Sequence, residues 1–274
     1  MPTVVDNFAH KRLTEQLEDG MRVRIDFDRH GLGDMIMFQP LYQRLKTLYP
    51  NIEFHLKGNR DQQYFEEAPE AAVDVVFKIS FPETPELFRS SKYTMTKPEA
   101  CAVLELGIPW EPALEFSWKP TKFNPELQIK DNCIGMVFQC NSDPSKGINP
   151  GLAARLWEAV RKSGFTPIEV QFTNPNHNKK NGRCAFANYS CRDFEPTVEN
   201  LVSVIRQCKG FVGVNTGTFC AAVCIKNGHV LHLHTRHDFT RFYKRNNPVS
   251  SIDCTNPDKV DYSVIDRYLA SCRS

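Results

Sequence analysis

No stretch of this 274-residue chain is apolar for long enough to cross a membrane. The longest apolar runs, 71–76 and 228–233, fall far short of the roughly 20 residues a spanning helix needs. Residues 1–20 are polar and carry both signs of charge, so no secretory signal is expected and a cytoplasmic location is. Charge of one sign is also lacking: the net value of +2 gives no global reason to expect a nucleic-acid partner. Neither tandem repeats at solenoid periods nor low-complexity tracts occur, which excludes repeat architectures and disordered tails. The Gly-x-Gly-x-x-Gly fingerprint is missing, which counts against a dinucleotide dehydrogenase, and no loop has Walker A spacing.

Cysteine, by contrast, is plentiful, at ten residues. In a chain expected to be cytoplasmic these are reduced thiols rather than a disulfide framework. Cys101, Cys133, Cys220 and Cys224 sit among apolar neighbours and read as small buried hydrophobes. Hydrophobic residues make up 41% of the chain and charged residues 24%, enough apolar material for a sizeable core. The length suits two small domains better than one.

Strand and helix patterns alternate along the chain. Residues 22–27 alternate polar and apolar side chains, as a strand does, and the loop Asp28-Arg-His-Gly-Leu-Gly-Asp34 follows. Apolar residues then recur near helical spacing from Met35 to Leu48, with a helix start possible at Pro40. Residues 52–56 and 73–79 read as further strands, 61–69 and 99–106 as helices, 81–98 as a long loop, and 1–20 as a leading helix or arm. The proline-rich stretch 109–125 is the expected boundary between domains spanning 1–125 and 126–274. In the second half, 133–138, 167–172, 210–214 and 229–234 read as strands, and 152–163, 197–207, 219–225 and 262–270 as helices. Such alternation implies an α/β fold with parallel sheets, in which ligands sit where strands turn into helices.

Three loops at those turns carry suitable chemistry. In Gly31-Leu-Gly-Asp34, Gly31 and Gly33 permit close approach of a ligand. Asp34 is either a general base toward an acceptor hydroxyl or only a helix cap. In Ser142-Asp-Pro-Ser-Lys-Gly147, Ser145 and Lys146 can bind phosphate oxygens, or the segment is a solvated turn. In Gly213-Val-Asn-Thr-Gly-Thr218, Asn215, Thr216, Gly217 and Thr218 form a potential anion nest suited to a pyrophosphate. A basic cluster from Arg236 through Arg241 to Arg245 either meets phosphates or is a solvated loop. His229, His232, His234 and His237 favour ligand contact or packing over a metal site, and Cys184 and Cys191 lack zinc spacing. Tyr42, Trp110, Trp118 and Trp157 are expected to pack internally.

The order of these loops resembles glycosyltransferase family 9, the heptosyltransferase-like proteins. The resemblance rests on Gly31-Leu-Gly-Asp34, on the Leu-Lys-Thr-Leu-Tyr-Pro helix end at Pro50, on Pro144-Ser-Lys146, and on Val212-Gly-Val-Asn-Thr-Gly-Thr218. Asn215 stands where the family usually has Asp, and Gly147-Ile-Asn-Pro150 where Trp-Pro usually follows the Ser-Lys pair. The resemblance spans most of 21–248 and implies a GT-B fold, two Rossmann-like domains with parallel sheets facing a central cleft. It further implies inverting, metal-independent transfer from a nucleoside-diphosphate sugar, with no cofactor. Asp34 is then the implied base, and Lys146, Thr216, Gly217 and Thr218 the implied holders of the diphosphate. The acceptor is expected to be a glycan or lipid-linked hydroxyl. Two alternatives stay open: a hydroxylated base in DNA as acceptor, tracked by the Arg236–Arg245 cluster, and an inactive nucleotide-sugar binder, for which Asn215 is the best support.

Overall fold

The structure, a computed structural model, describes residues 3–5, 12–26, 31–58, 64–65, 73–79, 96–140, 144–171, 184–226, 228–235 and 249–273. The chain divides into two compact units, and the main division falls between Trp118 and Lys119, inside the proline-rich stretch. Each unit is built on its own parallel sheet.

The first sheet holds β1 (Thr3–Val5), β2 (Arg22–Asp26), β3 (Glu53–Lys57) and β4 (Val75–Lys78) in the order β1-β4-β2-β3. Val23 of β2 is in register with Phe54 on one side and Val75 on the other. Within the stretch 1–20, expected as a leading helix or arm, the described residues hold an edge strand, Thr3–Val5, and a 3-10 turn, Leu13–Gln16. Three β-branched residues suffice to extend an existing sheet edge but are too few to show a period. Helix α1 (Leu32–Leu48) buries Met35, Ile36, Phe38, Leu41, Tyr42 and Leu45, and the Tyr42 hydroxyl donates to the Phe54 carbonyl at 2.8 Å.

This helix starts eight residues before Pro40, not at it. An interior proline forfeits one backbone hydrogen bond, but the helix buries a broad apolar face, and Asp34 caps its start. Helix α2 (Lys97–Ala100) continues as a π-helical stretch, Cys101–Leu106, so the helix read over 99–106 is present and begins earlier. Of the helix read over 61–69 only Tyr64 and Phe65 are described, in a 3-10 turn, and most of the loop over 81–98 lies outside the described residues.

The second sheet holds β5 (Cys133–Val137), β6 (Thr166–Glu169), β7 (Gly210–Gly213), β8 (Val230–His234) and β9 (Ser250–Asp253) in the order β6-β5-β7-β8-β9. Among the described residues four α-helices accompany it: α3 (Pro150–Lys162), α4 (Val198–Gln207), α5 (Gly217–Lys226) and α6 (Tyr262–Ser271). Ile134 and Met136 of β5 share one core with Leu152, Leu156, Trp157 and Val160 of α3 and with Ile265, Tyr268 and Leu269 of α6. Strand β9 was not expected. Only Ile252 is buried along it, so this edge strand shows no alternation to read. Among the described residues no helix is long and apolar enough to cross a membrane.

Tyr268 fastens α6 to the sheet. Its hydroxyl accepts from the Phe211 N–H at 2.7 Å and lies within hydrogen-bond distance of the Phe211 and His229 carbonyls, at 3.1 and 3.0 Å. The approach is possible because position 210 is glycine: a Cβ there would stand 2.4 Å from the tyrosine oxygen. Replacing Tyr268 with Phe leaves those backbone groups short of a partner in a buried site. The expected cost is about 1–3 kcal/mol, read as a lower urea midpoint at unchanged m-value.

All ten cysteines lie among the described residues, none is in a disulfide, and all but Cys224 are buried. Loss of water pushes the thiols up: Cys133 to about 11, and Cys184, Cys191 and Cys254 to about 12. A native thiol that holds its proton after the unfolded one has released it contributes stability fully present below the ordinary thiol pKa. That contribution is lost as pH rises through the native values. The urea midpoint under reducing conditions is therefore expected to fall steadily as pH rises from about 9 toward about 12. A midpoint unchanged over that range would mean that the thiols titrate alike in both states.

Candidate functional site

A parallel strand delivers its chain to a helix at its carboxyl end, and a crevice opens where successive loops leave for opposite faces of the sheet. In the second unit the chain leaves β5 for β6 on one side and returns to β7 on the other. The switch point therefore lies between β5 and β7. Two of the three chemically promising loops follow those two strands.

After β5, the Ile148 N–H donates to the Phe138 carbonyl at 3.1 Å and closes the loop at its base. Within it, Pro144–Lys146 is a single 3-10 turn, with Ser145 exposed and Lys146 half-buried. Asn149 then caps α3, its side chain accepting from the Gly151 and Leu152 N–H groups at 2.8 and 3.3 Å, with Pro150 in the first turn. Gly147-Ile-Asn-Pro150 is thus the entry to a helix. That local role holds the Ser-Lys turn in place.

After β7, the Val214 N–H donates to the Val137 carbonyl at 3.0 Å, keeping the two strands paired up to the turn. Asn215, Thr216, Gly217 and Thr218 are all half-buried. Gly217 and Thr218 belong to the first turn of α5 rather than to a loop, and Thr216 Oγ1 accepts from the Phe219 N–H at 3.1 Å. A helix start of this kind presents backbone N–H groups and the positive end of the helix dipole.

A third segment joins them. Thr235, just past β8, donates from its hydroxyl to the Lys146 carbonyl at 3.4 Å. The bond links the segments that follow β5 and β8, the two strands that flank β7. Sequence reasoning missed Thr235, whose signal is only its position immediately after a buried strand. Arg236 and Arg241, which follow it, lie outside the described residues, as does Ser142.

In the first unit β2 lies between β3 and β4, so the switch point is between β2 and β4. Gly31 precedes α1, and Gly33 and Asp34 are in its first turn. Asp34 Oδ2 accepts from the Gly31 N–H at 3.1 Å, so the capping role is real. The carboxylate is not used up by it: Asp34 Oδ1 is ion-paired with the Lys97 ammonium, and the two side chains are 20% and 24% exposed. Lys97 was also missed. The pattern Thr96-Lys-Pro-Glu99 was the available signal, a capping box that places Lys97 at a helix start.

In the histidine group His229 is exposed and His234 half-buried. His232 is buried, with its ring centroid 5.4 Å from Phe219 and 6.2 Å from His234; His237 lies outside the described residues. Cys184 donates its backbone N–H to Glu169, a buried carboxylate that also receives the Ser190 hydroxyl at 2.7 Å. Among the described residues no group of three His, Cys, Asp or Glu side chains could hold a metal ion. Tyr42, Trp118 and Trp157 are buried, and Trp110 is half-buried.

No protein-family model matches the sequence, and no curated protein matches it significantly. Solved structures do match. The bacterial iron-containing dodecameric glycosyltransferase TibC from enterotoxigenic E. coli H10407 aligns over 87% of this chain at 13% identity and a TM-score of 0.63. This chain spans 64% of the length of TibC. E. coli heptosyltransferase WaaC with ADP aligns over 92% of this chain and 100% of its own, at 12% identity and a TM-score of 0.56. E. coli ADP-heptose LPS heptosyltransferase II aligns over 93% of this chain and 100% of its own, at 14% identity and a TM-score of 0.52. The fold expected from the sequence, GT-B, is the fold these structures share with the chain.

The switch point has a steric dependence that can be tested. A Cβ at position 213 would stand 2.4 Å from Val137 Cγ1 and 3.1 Å from the Phe219 ring. Gly213→Ala is expected to force β5, β7 and the start of α5 apart, at a cost of about 1–3 kcal/mol in chemical denaturation.

Proposed function

We propose that this chain is a glycosyltransferase that moves a sugar from a nucleoside-diphosphate sugar to an acceptor hydroxyl, with inversion and without a metal ion. One observation carries the reading. The Ser145–Lys146 turn and the Asn215–Thr218 turn, the two segments with phosphate-binding chemistry, flank the switch point of a sheet whose fold is shared with glycosyltransferases. WaaC was solved with ADP, and TibC with ADP-D-β-D-heptose. A nucleoside-diphosphate sugar is the corresponding donor class here.

In this reading residues 126–274 form the donor domain. Lys146 and the backbone N–H groups of Gly217 and Thr218 stabilise the negative charge that grows on the leaving diphosphate, and the Ser145, Thr216 and Thr218 hydroxyls orient its oxygens. Asn215 offers a neutral amide, which does not repel phosphate as a carboxylate would. Arg236 and Arg241 add positive charge beyond β8. Residues 1–125 form the acceptor side. Asp34 takes the proton of the acceptor hydroxyl as that oxygen bonds to the anomeric carbon. The bond from that carbon to the diphosphate oxygen breaks, and its electron pair leaves with the nucleoside diphosphate. Attack from the face opposite the leaving group inverts the configuration. Fixed cationic and backbone donors supply the stabilisation a divalent ion would otherwise give. The acceptor is a glycan or lipid-linked hydroxyl.

A thermal-shift screen against ADP-, UDP-, GDP- and CDP-sugars, with EDTA or with Mg²⁺, tests this. One nucleotide series is expected to raise Tm equally in both, since a ligand at about 100 Kd adds roughly 2.7 kcal/mol to the native state. Lys146→Ala should weaken that donor at least about 10-fold, and Asp34→Asn should bind it without releasing nucleoside diphosphate. No shift from any sugar nucleotide in folded protein would sink the donor assignment. Binding without turnover by the unaltered chain would leave an inactive binder.

A further inference from the structure

We infer that Lys97 is the positioning residue for Asp34: its ammonium fixes the orientation of the carboxylate and supplies its counter-charge when an acceptor displaces the water around it. The inference rests on the reading of Asp34 as the base.

Lys97 is delivered to this place by a well-determined local structure. Thr96 is buried, and its side chain accepts from the Glu99 N–H at 3.4 Å while Glu99 Oε2 accepts from the Thr96 N–H at 3.1 Å. Buried Pro98 fixes the backbone of the same turn. Lys97 is therefore held at the first position of a helix. A cation is poorly placed there, since the start of a helix already carries partial positive charge. Glu99 meets the local demand for an acidic group in that turn. The ammonium reaches a carboxylate 63 residues earlier in the chain.

Asp34, for its part, needs no ammonium in order to cap α1, because the Gly31 N–H bond to Oδ2 does that. The Gly31 N–H on Oδ2 and the Lys97 ammonium on Oδ1 set the carboxylate plane from both ends, and the side chain remains 20% exposed. The buried Cys101 thiol on the same helix is pushed well up, first by burial and then by Glu105, with Lys97 opposing and Asp34 adding to the effect.

The consequence is mechanistic. An acceptor hydroxyl must arrive within about 2.6–3.2 Å of the base, and its arrival removes water from a charged group. A carboxylate left alone loses solvation at that moment, and the adjacent ammonium offsets the loss. In the transfer step the acceptor proton goes to Asp34, the oxygen bonds to the anomeric carbon, and the diphosphate leaves with the electron pair. Lys97 keeps its own three protons throughout.

The test compares Lys97→Met, Lys97→Arg and Asp34→Asn with the unaltered chain. It uses the sugar nucleotide selected by the thermal-shift screen and reads nucleoside-diphosphate release. Lys97→Met is expected to keep donor affinity within about twofold while kcat falls roughly 10- to 100-fold, the scale of loss for a misplaced catalytic group. Lys97→Arg, which keeps the charge, should recover turnover to within about fivefold. A Lys97→Met protein with unaltered kcat beside an inactive Asp34→Asn overturns the role of Lys97 and leaves Asp34 as base. So does a loss of donor affinity equal to the loss of turnover, or a Lys97→Arg variant as impaired as Lys97→Met at unchanged Tm. Full turnover by Asp34→Asn overturns the reading of the base, and this inference with it. Should Lys97→Met fail to fold, Lys97→Gln takes its place with the same criteria.

Discussion

Parallel strand pairing is the constraint from which the rest of this structure follows. Every strand of both sheets runs the same way as its neighbours, so the chain must cross back over the sheet between one strand and the next. Among the described residues, the crossings from β2 to β3, β5 to β6, β6 to β7 and β7 to β8 carry helices, and the strand-to-helix turns of a sheet collect at one edge. That edge is where Lys146, the Asn215–Thr218 turn and Thr235 meet in one unit, and where Asp34 and Lys97 meet in the other. Residues far apart in sequence become neighbours because each one follows a strand.

Helix capping decides how firmly those turns are held. Asn149, Thr216 and Thr96 each accept from backbone N–H groups at a helix start, beside the Ser145–Lys146 turn, the Asn215–Thr218 turn and Lys97 respectively. Asp34 both caps α1 and pairs with Lys97. The polar residues near the switch points are thus fixed by the same hydrogen bonds that end the helices. Buried contacts behind them, such as Tyr268 against the backbone of Phe211 and His229, hold the strands that carry the turns.

The likeness to heptosyltransferases is one of fold, at 11–14% identity over most of this chain for WaaC and heptosyltransferase II. Gly147-Ile-Asn-Pro150 leads into α3, which Asn149 caps. Such a fold persists at low identity because its energy resides in buried apolar faces, whereas the turns are set by a few local hydrogen bonds.

The sequence by itself determined the α/β class and most of the strands and helices, and it singled out three turns whose residue types suit a ligand. Those features are local: alternation, helical spacing, and glycine, threonine and lysine at turn positions are visible in windows of a few residues. It did not reveal β1 or β9, because three or four residues at a sheet edge show no period and are strands only by virtue of their neighbour. It placed the start of α1 too late, because Pro40 is a local signal, while the apolar face that outweighs it is satisfied only by packing on the sheet. The partnership of Asp34 with Lys97 and the bond from Thr235 to Lys146 were decided by tertiary structure alone. Strand order sets which loops lie side by side, and strand order is a property of long-range pairing that no local pattern encodes.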